Sequence, residues 1–384
     1  MTTPITVVGG GIAGLTAAIE CAQAGAKVEL HEAHSTLGGR GRATPAPYIA
    51  HEGPHVFYAD GPHYRWLKRQ GFVGGLGWPA PTAFARAGFL VDGRIRRVPP
   101  FGMLKAQARP GASAPVDADF HSWASEKFGA QSAHRIANAI GVATYDSDTG
   151  RLSAAFVWNL FHRIYAPRVP GVRWVRGGWQ TVIDRMCTRA AELGVEIRTE
   201  SRVGDLPTTP TIVATELSSA RALLKDESLV WTSGACVMLD VALPTSRRDC
   251  RIVADLDGGG FHESYSMQDR STAPRGESLY QLDMPIRPNE SIAQARARLN
   301  RFADTVLPEW RDRATWQRTA TARNRTGAID LPGHTWRDRP AIDRGSDVYL
   351  AGDMVAAPGM RGEISVNSAV DAAHRALQSV HVRT

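Results

Sequence analysis

Three glycines near the start constrain this chain more than any other feature. Residues 5–14 read "ITVVGGGIAG". "ITVV" is a short apolar run suited to a parallel strand covered on both faces. Leu15, Ala18, Ile19 and Ala22 then recur at helical spacing, which predicts a helix over 12–24 ended by Gly25. "AKVELHEA" reads as a second strand, completing a β-α-β unit. Gly9, Gly11 and Gly14 form GxGxxG between strand and helix. The first allows a tight turn, the second lets backbone approach a pyrophosphate, and the third lets helix pack on strand. Ile12 and Ala13 open the helix, whose free N–H groups and partial positive charge suit phosphate. Glu32 lies 18 residues after Gly14 at the end of the second strand. Its carboxylate can accept hydrogen bonds from ribose hydroxyls. GxGxxG alone is a weak signal; in this frame it implies a bound dinucleotide.

The stretch after Glu32, "AHSTLGGRGRA", goes further. Two glycines let the chain pass close to a diphosphate, and Arg40 can neutralise a phosphate. Here the chain resembles the flavin-containing amine oxidase, phytoene desaturase and protoporphyrinogen oxidase superfamily. The resemblance rests on Glu32 and Ala33 followed by Gly38, Gly39 and Arg40, and it implies FAD. "HEGPHVFY" at 51–58 is similar to the family segment that runs beside the flavin ring, which places Pro54, His55 and Val56 there. "DGRIRRVPP" at 92–100 resembles a substrate-domain hairpin, and "VRGGWQTVIDRM" a glycine pair before a helix. Val203 matches the position whose backbone meets the adenine. The strongest late match is "VYLAGDMVAAPGMRGEISVNSAVDAAHRAL" at 348–377. It implies that Gly352 and Asp353 meet the ribityl chain. Gly362, Glu363 and Ile364 would then open a last helix aimed at the flavin edge, where reduced flavin gathers negative charge.

The fold class expected is α/β: a Rossmann-like FAD-binding domain, discontinuous in sequence, with an inserted α+β substrate domain. The FAD-binding pieces are 1–75, 175–230 and 335–384; the substrate pieces are 76–174 and 231–334. Residues 121–148 read as mainly helical, and "GGWQTVIDRMCTRAAELGV" as a helix ending at Gly194. "EIRTESRV", "PTIVAT", "GACVMLDVAL", "GESLYQLDMPI" and "DVYLAGD" read as strands, with helices near 290–305 and over 363–379. "DGGGF" at 257–261 lacks the third glycine of a second fingerprint, so a built-in NADPH domain is not expected.

Charge and cysteine usage narrow the class. The net charge is +7, but the arginines are scattered and there are only five lysines. No like-charge run suggests a nucleic-acid arm. The balance permits weak peripheral contact with anionic membranes. Cys21, Cys187, Cys236 and Cys250 have no CxxC spacing, which suggests a reducing, cytoplasmic setting and no metal site. Residues 1–19 are uncharged but lack a basic leader, and no other apolar stretch is long enough to span a bilayer.

The implied chemistry is hydride transfer from a small-molecule substrate to flavin N5, with oxygen or a quinone as candidate electron acceptor. Amine oxidases of the superfamily usually place a lysine near N5. Here no lysine follows Lys225, and Met360 and Arg361 stand where the family carries an aromatic. Both departures argue against a typical amine oxidase and leave the phytoene desaturase-like and protoporphyrinogen oxidase-like branches, and the leading reaction expected is oxidation or desaturation of an apolar or amphipathic small molecule. His55 is the candidate catalytic residue: it either moves protons at the flavin face, as a neutral histidine can near pH 7, or only hydrogen-bonds the cofactor or backbone. A similar "GPHxF" stretch in UDP-galactopyranose mutase leaves a redox-neutral isomerase or mutase as the alternative. A flavin-binding protein without turnover is the third. Arg361 and Glu363 either fix a substrate carboxylate or pair with each other. Trp158, Phe161, Tyr165, Trp174 and Trp179 either line an apolar pocket or form core. "YDSD" at 145–148 reads as a polar turn.

Overall fold

Ile5–Val8 form a strand with every residue buried. An unbroken apolar run is what a strand covered on both faces requires. The strands in chain order are β1 (Ile5–Val8), β2 (Val28–His31), β3 (Val56–Tyr58), β4 (Leu76–Gly77), β5 (Ala87–Val91), β6 (Arg94–Arg96), β7 (Val172–Val175), β8 (Glu196–Arg198), β9 (Thr211–Val213), β10 (Ser233–Pro244), β11 (Ile252–Asp255), β12 (Phe261–Ser264), β13 (Glu277–Pro285), β14 (Trp316–Ala328) and β15 (Val348–Leu350). The computed structural model describes residues 4–53, 56–74, 76–77, 86–165 and 172–382.

Five strands form a parallel sheet in the order β15-β9-β1-β2-β8, with β1 at the centre. The helices Ile12–Gln23 and Gly362–Val382 pack together against it. Gly25, at φ +86°, follows the first helix in the left-handed region that residues with a Cβ avoid. A Rossmann-like α/β unit results, from chain pieces far apart in sequence.

A second sheet of seven strands runs β14-β10-β13-β12-β11-β5-β6, all pairs antiparallel except β11 with β5. The helix Ile292–Val306 covers one part of it, started by a capping box of Ser291 and Gln294. A helical layer carries Phe120–Phe128, Ala130–Ala139 and Ala154–Tyr165 around its own apolar core. The hairpin β5–β6 turns at Asp92 and Gly93, both at positive φ, as a tight two-residue hairpin turn demands. A small sheet, β3-β7-β4, joins residues from both sides of the expected junctions at 75/76 and 174/175.

Several strands are shorter than their patterns suggest, one of them most of all. "EIRTESRV" is strand only over Glu196–Arg198. Glu200 takes φ +55°, its N–H donates to the His34 carbonyl, and the Ser201 N–H donates to the Glu32 carbonyl. The chain turns back over the end of β2, which leaves Val203 outside the sheet.

Candidate active site

A single cavity of about 1260 Å³ runs from the glycine loop of the parallel sheet to the face of the seven-stranded sheet. Drug-sized ligands occupy roughly 300–1,000 Å³, so this one has room for something larger.

At one end stands the first helix. It starts after Gly11 with no side-chain cap, so its leading N–H groups are left for a ligand. A Cβ at Gly11 would meet nothing within 4 Å, whereas one at Gly14 would lie 1.8 Å from the Gly9 carbonyl oxygen. Gly14 therefore serves helix–strand packing, and Gly11 borders open space. The Gly38 N–H donates to the Gly10 carbonyl at 2.7 Å, laying the second glycine loop against the first. Gly38 sits at φ +108°, and a Cβ there would strike Ile183 at 2.8 Å. That is the physical reason for glycine after the Glu32 strand. Glu32 is buried and accepts from the Gly10 N–H at 2.7 Å and the His34 N–H at 2.9 Å.

Gly9, Gly11, Ile12, Ala13, Glu32, Ala33, Gly38, Gly39, Arg40, Val56, Val203, Gly352, Asp353, Gly362 and Glu363 all line the cavity. Gly14 lies beneath it, and the Ile364 side chain is wholly buried in the core of the parallel-sheet unit. Pro54 and His55 lie outside the described residues.

Arg40 donates to Asp353 at 2.7 Å and to the Arg325 carbonyl. Burial works against its charge, but Asp353 outweighs this and holds the guanidinium above its usual range. Arg361 and Glu363 do not pair with each other. Arg361 stacks on the Tyr145 ring at 4.2 Å and donates to the Val142 carbonyl at 2.5 Å. Glu363 instead accepts two hydrogen bonds of 2.8 Å from Arg163. Arg163 also holds Asp60. His63 completes this cluster, with Nε2 at 2.9 Å from the Tyr58 carbonyl. Burial lowers the His63 pKa, against the pull of Glu363. Because Arg163 already occupies both carboxylates, the cluster is an ion-paired network.

The aromatic candidates divide. Trp158 and Phe161 are core of the helical layer. Tyr165, Trp174 and Trp179 line the cavity. Tyr145, read from sequence as part of a turn, is a wall residue whose hydroxyl donates to Asp283 at 3.1 Å.

The sequence reading missed a buried acidic cluster behind the far end of the cavity, of which Glu263 lines the wall. Met238, Phe261 and Glu263 line the far end, and register puts Asp283 between Met238 and Phe261, and Gln281 between Asp240 and Glu263. Asp240, Glu263 and Asp283 are 0%, 2% and 2% exposed. Burial pushes Asp240 up to about 6 despite Arg318, whose Nε donates to it at 2.8 Å. Burial pushes Glu263 up to about 7, against a 2.7 Å hydrogen bond from Trp174 Nε1. Burial, reinforced by Asp240, takes Asp283 up to about 8. At neutral pH this buried cluster holds protons as well as charge. The available signal was three acids, with Gln281 among them, at inward positions of alternating strands rich in apolar residues.

The parallel sheet and its glycine loops form a Rossmann-like α/β frame, with a second, mostly antiparallel sheet and a helical layer across the cavity. Residues 7–69 match the NAD(P)-binding Rossmann-like domain family. No curated protein matches the chain. Among solved structures it is similar to an oxidoreductase from Methanosarcina mazei, at 14% identity and TM-score 0.76, over 96% of this chain and 99% of that one. Cyclohexylamine oxidase from Brevibacterium oxydans is similar at 15% identity and TM-score 0.71, over 99% and 100%. Reduced UDP-galactopyranose mutase is similar at 13% identity and TM-score 0.70, over 98% and 96%. The likeness is one of fold, it spans nearly the whole chain, and it agrees with the resemblance drawn from the sequence motifs.

Proposed function

We propose that the protein is an FAD-dependent oxidoreductase that oxidises or desaturates an apolar or amphipathic small molecule. The observation that carries the reading is the continuity of one cavity. It begins at an uncapped helix N-terminus and ends in a chamber walled by Phe89, Tyr165, Ile252, Ala254 and Phe261. The residues fit a flavin dinucleotide. A Cβ at Gly11 or at Gly362 would meet no protein atom within 4 Å, so backbone is bare where a cofactor would approach.

When bound, FAD supplies a hydride acceptor at N5. The remaining work falls to the chain. Gly9, Gly11 and the first-helix N–H groups would hold the diphosphate, with Arg40 beside them. Glu32 would take the ribose hydroxyls, Val203 the adenine and Asp353 the ribityl hydroxyls. The end of the last helix at Gly362 offers partial positive charge to a reduced ring. The apolar chamber excludes water and orients the substrate C–H. His55, next in sequence to Val56 of the cavity wall, is proposed to move the substrate proton. Oxygen or a quinone would accept the electrons. Four unpaired cysteines support a cytoplasmic location. Among the described residues no helix is long and apolar enough to cross a membrane.

A redox-neutral isomerase or mutase is the second reading, favoured by the fold likeness to reduced UDP-galactopyranose mutase and by "GPHVF". The test is a visible spectrum of the purified protein, then anaerobic reduction and exposure to air. A flavin spectrum restored within seconds supports an oxidase. Slow return supports a desaturase or dehydrogenase with another acceptor, or the redox-neutral class, which would turn over only when pre-reduced. No flavin, and none taken up from added FAD, overturns the proposal. His55→Ala should keep flavin and slow turnover; unchanged turnover removes His55 from the mechanism.

A further inference from the structure

One outer face of the inserted unit is apolar and basic together. Val98, Phe101 and Leu104 are 65%, 81% and 40% exposed. Three large apolar side chains thus face water within seven residues, where a water-soluble surface normally scatters them. Arg94, Arg96, Arg97, Lys105 and Arg109 surround them, all exposed. From Gly93 to Val116 the chain carries these five cations and no acidic residue. Arg96 has Asp92 at 3.6 Å, and Arg97 donates to the Ala87 carbonyl. Among the described residues Arg94, Lys105 and Arg109 have no carboxylate partner.

The patch is firmly mounted. Met103 and Ala106, on the opposite face of the helix Phe101–Gln107, are buried in the helical layer. Phe101 and Leu104 are therefore held outward by the packing beneath them.

We propose that this face docks on an anionic lipid bilayer, with Val98, Phe101 and Leu104 entering the interface and the five cations meeting lipid phosphates. Charge complementarity selects this occupant. Apolar side chains ringed by cations, three of them without a carboxylate partner among the described residues, match a surface that is hydrocarbon inside and anionic outside. A symmetric contact with a second copy would set the same cations against each other. The face also adjoins the chamber. Ala87, Gly88 and Phe89 of β5 line the cavity, and Gln107 Nε2 donates at 3.2 Å to the carbonyl of Tyr165, another wall residue. Docking therefore brings the apolar end of the cavity to the membrane, a source of apolar substrate. The docking itself does not depend on the flavin reading.

The test is co-sedimentation of the full chain with vesicles of phosphatidylcholine alone and of phosphatidylcholine with about one-third phosphatidylglycerol. Wild type should pellet with the anionic vesicles only, and be released by about 0.5 M salt. Phe101→Ser with Leu104→Ser should cut partitioning at least about tenfold. Arg94→Gln, Lys105→Gln and Arg109→Gln together should cut it about 100-fold, at roughly fivefold per cation. All five side chains are exposed, so the variants should keep the wild-type melting temperature and circular dichroism. Equal pelleting with both vesicle types, no pelleting, or variants that pellet like wild type overturn the proposal. So does concentration-dependent self-association that Phe101→Ser abolishes, which would assign the face to a second copy.

Discussion

Arg163 and Glu363 tie the helical layer to the last helix of the parallel-sheet unit beside the cavity. Arg163 comes from the helix Ala154–Tyr165 and Glu363 from the first turn of the last helix; two hydrogen bonds of 2.8 Å join them. Glu363 is 7% exposed. A carboxylate so placed needs its cation, since removing one partner of a buried pair leaves an uncompensated charge. Arg163→Met should cost about 2–4 kcal/mol of folding stability, because Arg163 itself is partly solvated. Arg163→Lys, which keeps the charge but not the two-pronged geometry, should cost about half as much. Urea titration followed by tryptophan fluorescence reads both; a Met variant as stable as wild type would refute the pairing.

The two glycines of the first loop should behave oppositely. Gly11→Ala places a methyl in open space on backbone at φ −78°, so the protein should fold normally. That methyl would occupy the approach of the diphosphate, and FAD affinity should fall at least about tenfold. Gly14→Ala drives a Cβ into the Gly9 carbonyl and should lower stability before any ligand is considered. Melting temperatures with and without FAD separate the two effects. Normal flavin binding by Gly11→Ala would remove the loop from the cofactor site.

Glu263 should make stability pH-dependent in a particular direction. Its pKa is raised from 4.5 to about 7 on folding, so the folded state holds a proton that the unfolded state releases. That contribution is full below about pH 4.5 and is lost as pH rises through 7. Glu263→Gln keeps an acceptor for Trp174 and cannot ionise. It should match wild type near pH 4 and exceed it at pH 8, by up to about 3 kcal/mol. Asp283→Asn should show the same sign over a window reaching about pH 8. Melting curves of both variants against wild type across pH 4–9 give the test, and a constant difference would contradict the assigned protonation.

Arg40 and Asp353 should act as a unit in cofactor binding. Arg40→Ala leaves Asp353 buried beside the proposed diphosphate site without its cation, so FAD affinity should drop about 10–100-fold. Adding Asp353→Asn should recover part of that loss, because repulsion is removed. Flavin fluorescence titration of the two single variants and the double variant measures the coupling; strictly additive losses would mean the pair is not shared.

The chain's local rules set the β-α-β start, both glycine loops and the last strand and helix. Each depends on spacing and backbone sterics within about 30 residues. "ITVV" can only be a covered strand in that setting, and Gly14 has no substitute where the Gly9 carbonyl leaves no room for a Cβ. The side chains around the chamber obey no such rule. Arg361 and Glu363 look like neighbours in sequence, yet Arg361 precedes the last helix at φ +50°, and each found a distant partner instead.

The amino-acid sequence by itself thus determined the Rossmann-like frame and the glycine loops that border the cavity at its end. Only the tertiary structure decided what stands opposite. Asp240, Glu263 and Asp283 meet because β10, β12 and β13 pair in one register, and Arg163 reaches Glu363 across 200 residues of chain. A carboxyl group's burial, and with it whether it carries a proton or a charge at neutral pH, is a property of its neighbours in space.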